Sequence, residues 1–205
     1  MPYVQAGDIL CDNGLIGHCG IALRQVADGP VGDAHFASHA MGGMGVHVST
    51  WPYRGPVFRP INITEGRLAE IHRLARMLRE ATQYGIGRAI FKSWSGSSTY
   101  SASARDRLQK YRDRMAAFPA LGEHQGRLVV KNVYCSEYVV LLFQLAAPDE
   151  DDPYFIELNA KHVLPKTLER WLRARPVLWL HVGNTTGEAE PAGDNRFRLP
   201  YLARD

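Results

Sequence analysis

The chain has 205 residues, with Lys+Arg 24 against Asp+Glu 21 and a formal net charge of +3. That length leads us to expect one domain with a core of useful size. An apolar fraction of 45% and a charged fraction of 22% exclude a disordered, collagen-like or coiled-coil chain. The basicity is spread along the sequence, so nucleic-acid binding has no support.

The longest apolar stretch, Tyr138 to Phe143 continued by Leu145 to Ala147, is far short of the roughly 20 residues of a membrane span. The opening segment MPYVQAGDIL lacks the basic and apolar regions of a secretory signal. Three cysteines, Cys11, Cys19 and Cys135, are too few for a disulfide scaffold. The expectation is synthesis in a reducing cytoplasm, without a signal peptide.

In chain order, residues 7–60 carry short strand-like runs punctuated by glycine: Gly7 to Leu10, Cys19 to Leu23, Ala34 to His39, Val46 to Ser49 and Val57 to Arg59. Leu68, Ile71, Leu74, Leu78 and Ala81 then recur at helical spacing between a Thr64 cap and a stop at Gly85. A loop from Ser93 to Ser103 leads to a second amphipathic stretch, Ser103 to Phe118. Leu128 to Tyr134 returns to β character, and Cys135 opens an apolar segment ended by Pro148. A helix around Pro165 to Arg173 follows, then a buried strand over Val177 to Val182 and a loop-like tail from Gly183. The pattern predicts an α+β fold with a mostly antiparallel sheet in a single domain spanning 1–205, the helical part about 62–127 being an insertion.

Cys135 is expected where a strand runs into a helix. A thiol there meets the positive end of the helix dipole and first-turn N–H groups, which favour thiolate and can hold the oxyanion formed when it attacks a carbonyl. Glu137 in the first turn favours helix initiation, and the apolar run behind it predicts a buried helix. A buried structural cysteine is the competing reading. The thiolate needs a base, and His18, among small residues in Gly17-His18-Cys19-Gly20, is the candidate. The base in turn needs an orienting group, for which the next strand offers His35 and His39 on one face. Cys11 and Cys19 read as core, with Cys19 on the face opposite His18. A zinc site from His18, His35, His39 and His47 lacks specific ligand spacing, so neither a metal nor a cofactor is expected. His72, His124, His162 and His181 read as structural or solvent-facing. Phosphate-binding glycine loops and a Gly-x-Ser-x-Gly elbow are absent from the sequence.

The ordered set Gly7-Asp8-Ile9-Leu10, Gly17-His18-Cys19-Gly20-Ile21-Ala22, His39 followed by Gly45-Val46 and Trp51, and Tyr134-Cys135-Ser136-Glu137 resembles the circularly permuted branch of the papain-like NlpC-type cysteine peptidase superfamily. That branch includes YiiX-like proteins and lecithin retinol acyltransferase-like enzymes, and in it the histidine precedes the cysteine. The resemblance implies a permuted papain-like fold, Cys135 as nucleophile, His18 as general base and acid, and His39 as the residue orienting His18. That third position is often glutamate in YiiX-like members, and the histidine here departs toward the acyltransferase-like pattern.

The resemblance further implies a thiol hydrolase cleaving an amide through an acyl-thioester, with a peptidoglycan stem peptide as substrate, hence a cell-wall amidase or endopeptidase. Without a signal peptide, reaching a periplasm requires a dedicated secretion system, and an antibacterial effector of that kind would have an immunity protein as partner. Two alternatives stand beside this. One is an acyltransferase or hydrolase on lipid or N-acyl substrates, with Trp51, Tyr53, Phe58, Phe91 and Trp94 lining an apolar groove. The other is a non-catalytic binding module with an inert Cys135.

Overall fold

The computed structural model describes residues 5–13, 17–23, 37–41, 45–49, 54–84, 96–117 and 130–186. It is an α+β fold. Strands β1 (Ile9–Asp12), β2 (His18–Ile21), β3 (Ala37–Met41), β4 (Gly45–Ser49), β5 (Arg54–Pro60) and β8 (Trp179–Thr186) form a six-stranded sheet in the order β4-β3-β2-β1-β5-β8. Every neighbouring pair in it is antiparallel. A small parallel pair, β6 (Thr82–Tyr84) with β7 (Val130–Val133), stands apart from it. The described residues also hold helices α1 (Glu65–Ala81), α2 (Ala102–Ala116), α3 (Cys135–Ala146) and α4 (Pro165–Arg173), with a 3₁₀ turn at Ala160–His162. Among the described residues, no helix is long and apolar enough to cross a membrane.

Alternation decides what each strand buries. Ile9 and Cys11 on β1 stand opposite Ile21 and Cys19 on β2, and all four join the apolar core with Phe58 and α3. Helix α3 is buried along its whole length, as its run of Val, Leu and Phe predicts. Such a helix must be wrapped on every side. Ile71, Leu74 and Leu78 of α1 pack into the same core, with a smaller share from Leu108 of α2.

The wrapping is completed by polar anchors. Gln144 Nε2 donates to the carbonyls of Ile156 (2.8 Å) and Leu158 (2.7 Å), and Ser136 Oγ donates to Val163 O at 2.7 Å. Arg112 of α2 donates to the carbonyls of Gln144 and Ala147, each at 3.0 Å, placing a cation at the negative end of α3. Just before β1 Asp8, fully buried, accepts from the Arg59 guanidinium at 2.9 and 2.7 Å and from Gln5 N–H at 2.7 Å. Burial pushes the Asp8 carboxyl up, opposed by Arg59 and the Gln5 amide.

Two expectations change here. The last strand is not a buried one ending at Val182. Val177 and Leu180 are exposed, because β8 is an edge strand whose buried anchor is Trp179. Nor does it stop at Gly183: pairing with β5 continues to Thr186 across an irregularity at Val57/Phe58, with Gly183 at φ +142° opposite Val57, a conformation that glycine tolerates. The stretch 118–129, the loop Ser93 to Ser95 and the tail from 187 lie outside the described residues.

These anchors make stability predictions. Gln144→Leu leaves the carbonyls of Ile156 and Leu158 without their donor and should cost about 2 kcal/mol, read as a lowered urea midpoint. Asp8→Ala, which strips a buried charge pair of one partner, should cost about 3 kcal/mol. Asp8→Asn should cost less, because its amide oxygen still accepts.

Candidate active site

Cys135 is the first residue of α3, and Tyr134 before it has extended backbone (φ −119°, ψ 174°) with no side-chain cap. The amides of Cys135 and Ser136 lie in a first turn where the helix itself offers no acceptor, and the helix dipole adds positive potential. Tyr134 hydroxyl donates to Ala160 O at 3.3 Å, so the turn that enters α3 is tied to the 3₁₀ segment.

Three groups meet at the Cys135 sulfur. The Cys19 thiol and the His18 imidazole hydrogen-bond to it, and the Cys19 backbone N–H points at it as well. The thiol is held well below the ordinary range, first by the Cys19 side-chain hydrogen bond, then by the hydrogen bond and charge of His18, against opposing burial. Burial instead pushes Cys19 well above that range, with the adjacent Cys135 adding to the rise. Cys11, directly opposite Cys19 on β1, is also pushed up by burial. All three cysteines are free thiols.

His18 is positioned by the residue before it. Gly17 has φ +71°, and a Cβ there would come 3.0 Å from Pro165 Cβ and 3.4 Å from Asp12 O. The chain therefore enters β2 through a left-handed turn pressed against the start of α4, which only glycine fits without strain. His18 pairs with Asp12 of β1, and residues directly opposite share a face.

Sequence reasoning pairs Cys135 with His18, and the two side chains do meet; it also puts Cys19 in the core, where it lies, but does not foresee the contact of Cys19 with Cys135. Strict alternation sends positions 18 and 19 to opposite faces. His18 is the first residue of β2 and follows a left-handed glycine, and the Cys135 sulfur lies at that end of the strand, where both residues reach it. Asp12 is not singled out by the sequence, and its signal lies only in the β1–β2 register. His39 lies in β3, opposite His47 of β4. The Ile21–Ser38 pairing sets position 39 beside Gly20. Only the place of His39 and His47 in their strands is described. His35, His124, Trp51, Tyr53, Phe91 and Trp94 lie outside the described residues. Phe58 is fully buried, packed 5.4 Å from the His181 ring and 5.3 Å from Arg173 Cζ, and lines no groove. His72 and His162 sit in α1 and the 3₁₀ turn. Among the described residues no three His, Cys, Asp or Glu side chains could hold a metal ion. Two clefts, about 380 and 240 Å³, share Gln5, Ala6 and Leu68 and are lined by neither His18 nor Cys135.

Gly17→Ala should destabilise the fold by about 1–2 kcal/mol from the left-handed backbone alone. By displacing His18 it should also slow alkylation of Cys135 at neutral pH several-fold; thiol-labelling kinetics check this, and an unchanged rate would detach Gly17 from the site. Comparison with known proteins returns no match: no family model, no curated protein and no solved structure is similar enough to this chain to assign it a family.

Proposed function

We propose that this protein is a cysteine hydrolase with a permuted papain-like arrangement, Cys135 acting as nucleophile and His18 as general base and acid. The observation that carries the reading is the His18 imidazole hydrogen-bonded to a thiol at the N-terminus of a buried helix, the contact a Cys–His pair requires. An antiparallel sheet that supplies the histidine strand before the cysteine helix supports the same arrangement.

In the reaction, His18 takes the Cys135 proton and the thiolate sulfur bonds to the substrate carbonyl carbon. The carbonyl π electrons move to oxygen, where the amides at the start of α3 hold the negative charge. Collapse breaks the C–N bond, and His18 returns its proton to the departing amine, leaving a thioester. A water molecule, giving a proton to His18, then adds to the thioester carbonyl. Expulsion of the Cys135 thiolate releases the acid. The substrate class follows the resemblance: an amide of a peptidoglycan stem peptide. Delivery would be by a dedicated secretion system, with an immunity protein as partner.

Three measurements test this. Alkylation of Cys135 followed by peptide mapping should titrate well below the free-thiol value of about 8.5, rising toward it in His18→Ala; an ordinary titration would make the protein a non-catalytic module. Purified muropeptides and N-acyl lipids, offered separately, should show release of a new amine from muropeptides by the native protein and none by Cys135→Ala. Turnover of the lipids alone would move the assignment to acyl transfer or lipid hydrolysis. Lastly, His39→Ala should lower kcat/KM at least about tenfold, as loss of an orienting residue does, with Asp12→Ala close to the native value. The reverse order would transfer that role to Asp12.

A further inference from the structure

The Cys135 sulfur has more donors than a Cys–His pair supplies. Cys19 is fully buried, stands opposite Cys11 of β1 in the same core cluster as Cys135, and reaches Cys135 through both its thiol and its backbone N–H. Its thiol also lies against Ser136. The single proton of Ser136 Oγ is directed to Val163 O at 2.7 Å, so toward Cys19 this hydroxyl can only accept. The Cys19 proton therefore has two acceptors, a neutral hydroxyl and the sulfur of Cys135. Once Cys135 is a thiolate it is the stronger acceptor, since hydrogen bonds to an ionised partner are about twice as strong as neutral ones.

We infer that Cys19 is a positioning residue for the nucleophile, its S–H donating to the Cys135 thiolate and, with its own backbone N–H, fixing the sulfur in front of the helix terminus. This rests on Cys135 being the nucleophile. The donor adds nothing to the chemical step itself; it sets how much thiolate is present and where the sulfur points. Among the described residues, the other charged or titratable groups around this corner include His18 on β2, Cys11 and Asp12 on β1 and Glu137 on α3, with Glu169 and Arg173 of α4 acting on Cys11.

The test is the pH dependence of Cys135 alkylation in the full chain, resolved from Cys11 and Cys19 by peptide mapping. It compares the native protein with Cys19→Ala, Cys19→Val and Cys19→Ser. Ala and Val keep the backbone N–H and remove the donor; Ala is smaller than the original side chain and Val somewhat larger, so one stands in if the other does not fold. Both should raise the midpoint by about one pH unit, equivalent to about a tenfold loss of thiolate below it. Ser, which restores a donor, should bring the midpoint back toward native. A low native midpoint that Ala and Val leave unchanged, or that Ser raises as much as they do, overturns the role of Cys19 while leaving Cys135 and His18 in place. A native midpoint at the ordinary thiol value overturns the nucleophile itself, and this inference with it.

Discussion

The structure depends on burying the N-terminus of one apolar helix against the start of one strand. Helix α3 is buried on every side, and each covered Val, Leu or Phe contributes roughly 1.5–3 kcal/mol. Covering it creates a difficulty at each end, where helix amides and carbonyls lose their intrahelical partners. At the C-terminal end Arg112 meets the carbonyls of Gln144 and Ala147. At the N-terminal end the Tyr134 side chain supplies no cap, and what approaches instead is a sulfur with His18 and Cys19 around it. One end is closed by a structural cation, whereas the other is left for a group that can become an anion.

A buried anion is expensive unless it is paired and hydrogen-bonded. Burial does oppose ionisation of Cys135, and the direction reverses only because several donors converge on it. The contrast with its neighbours makes the point within one cluster. Cys11 and Cys19 are equally buried, and both are driven toward the neutral thiol. Burial alone would make all three inert. What separates Cys135 is that the Cys19 thiol and the His18 imidazole both reach its sulfur at a helix terminus, and the place of His18 follows from how β2 enters the sheet past Gly17.

Much of this is legible in the sequence where local chemistry leaves few choices. The strand-to-helix transition at Tyr134–Cys135, the Pro165–Arg173 helix and the helical spacing of Ile71, Leu74 and Leu78 all reappear as expected elements. The pairing of His18 with Cys135 is reached by chemical need and resemblance, since no periodicity links residues so far apart in the chain. The contact of Cys19 with Cys135 escapes notice because alternation assigns a residue to a face of the sheet, and does not say which helix end is packed against that face. Asp12 escapes it because register is a property of two strands together, and β1 read alone gives no reason to single out a carboxylate at its end. The extent of β8 is lost for a related reason: glycine and asparagine in Gly183–Asn184 read as loop, yet pairing with β5 across an irregularity holds them in the sheet.

The helical stretch after β5 bears on the site more directly than the word insertion conveys. Helix α1 places Ile71, Leu74, Ala75, Met77 and Leu78 in the same apolar core as Tyr138, Val139 and Leu142, whereas α2 adds Leu108 and is tied on mainly by Arg105 to Glu150, Arg107 to Asn159 and Arg112 to α3. The two helices therefore hold α3 by different physics. Without α1 the apolar side chains of α3 would face water, and the positioning of Cys135 against β2 would go with it. The hold of α2 is polar and fixes chiefly the far end of α3 and the segment after it. Of the two, α1 belongs to the core that sets the sulfur beside the imidazole, and α2 to the frame around it.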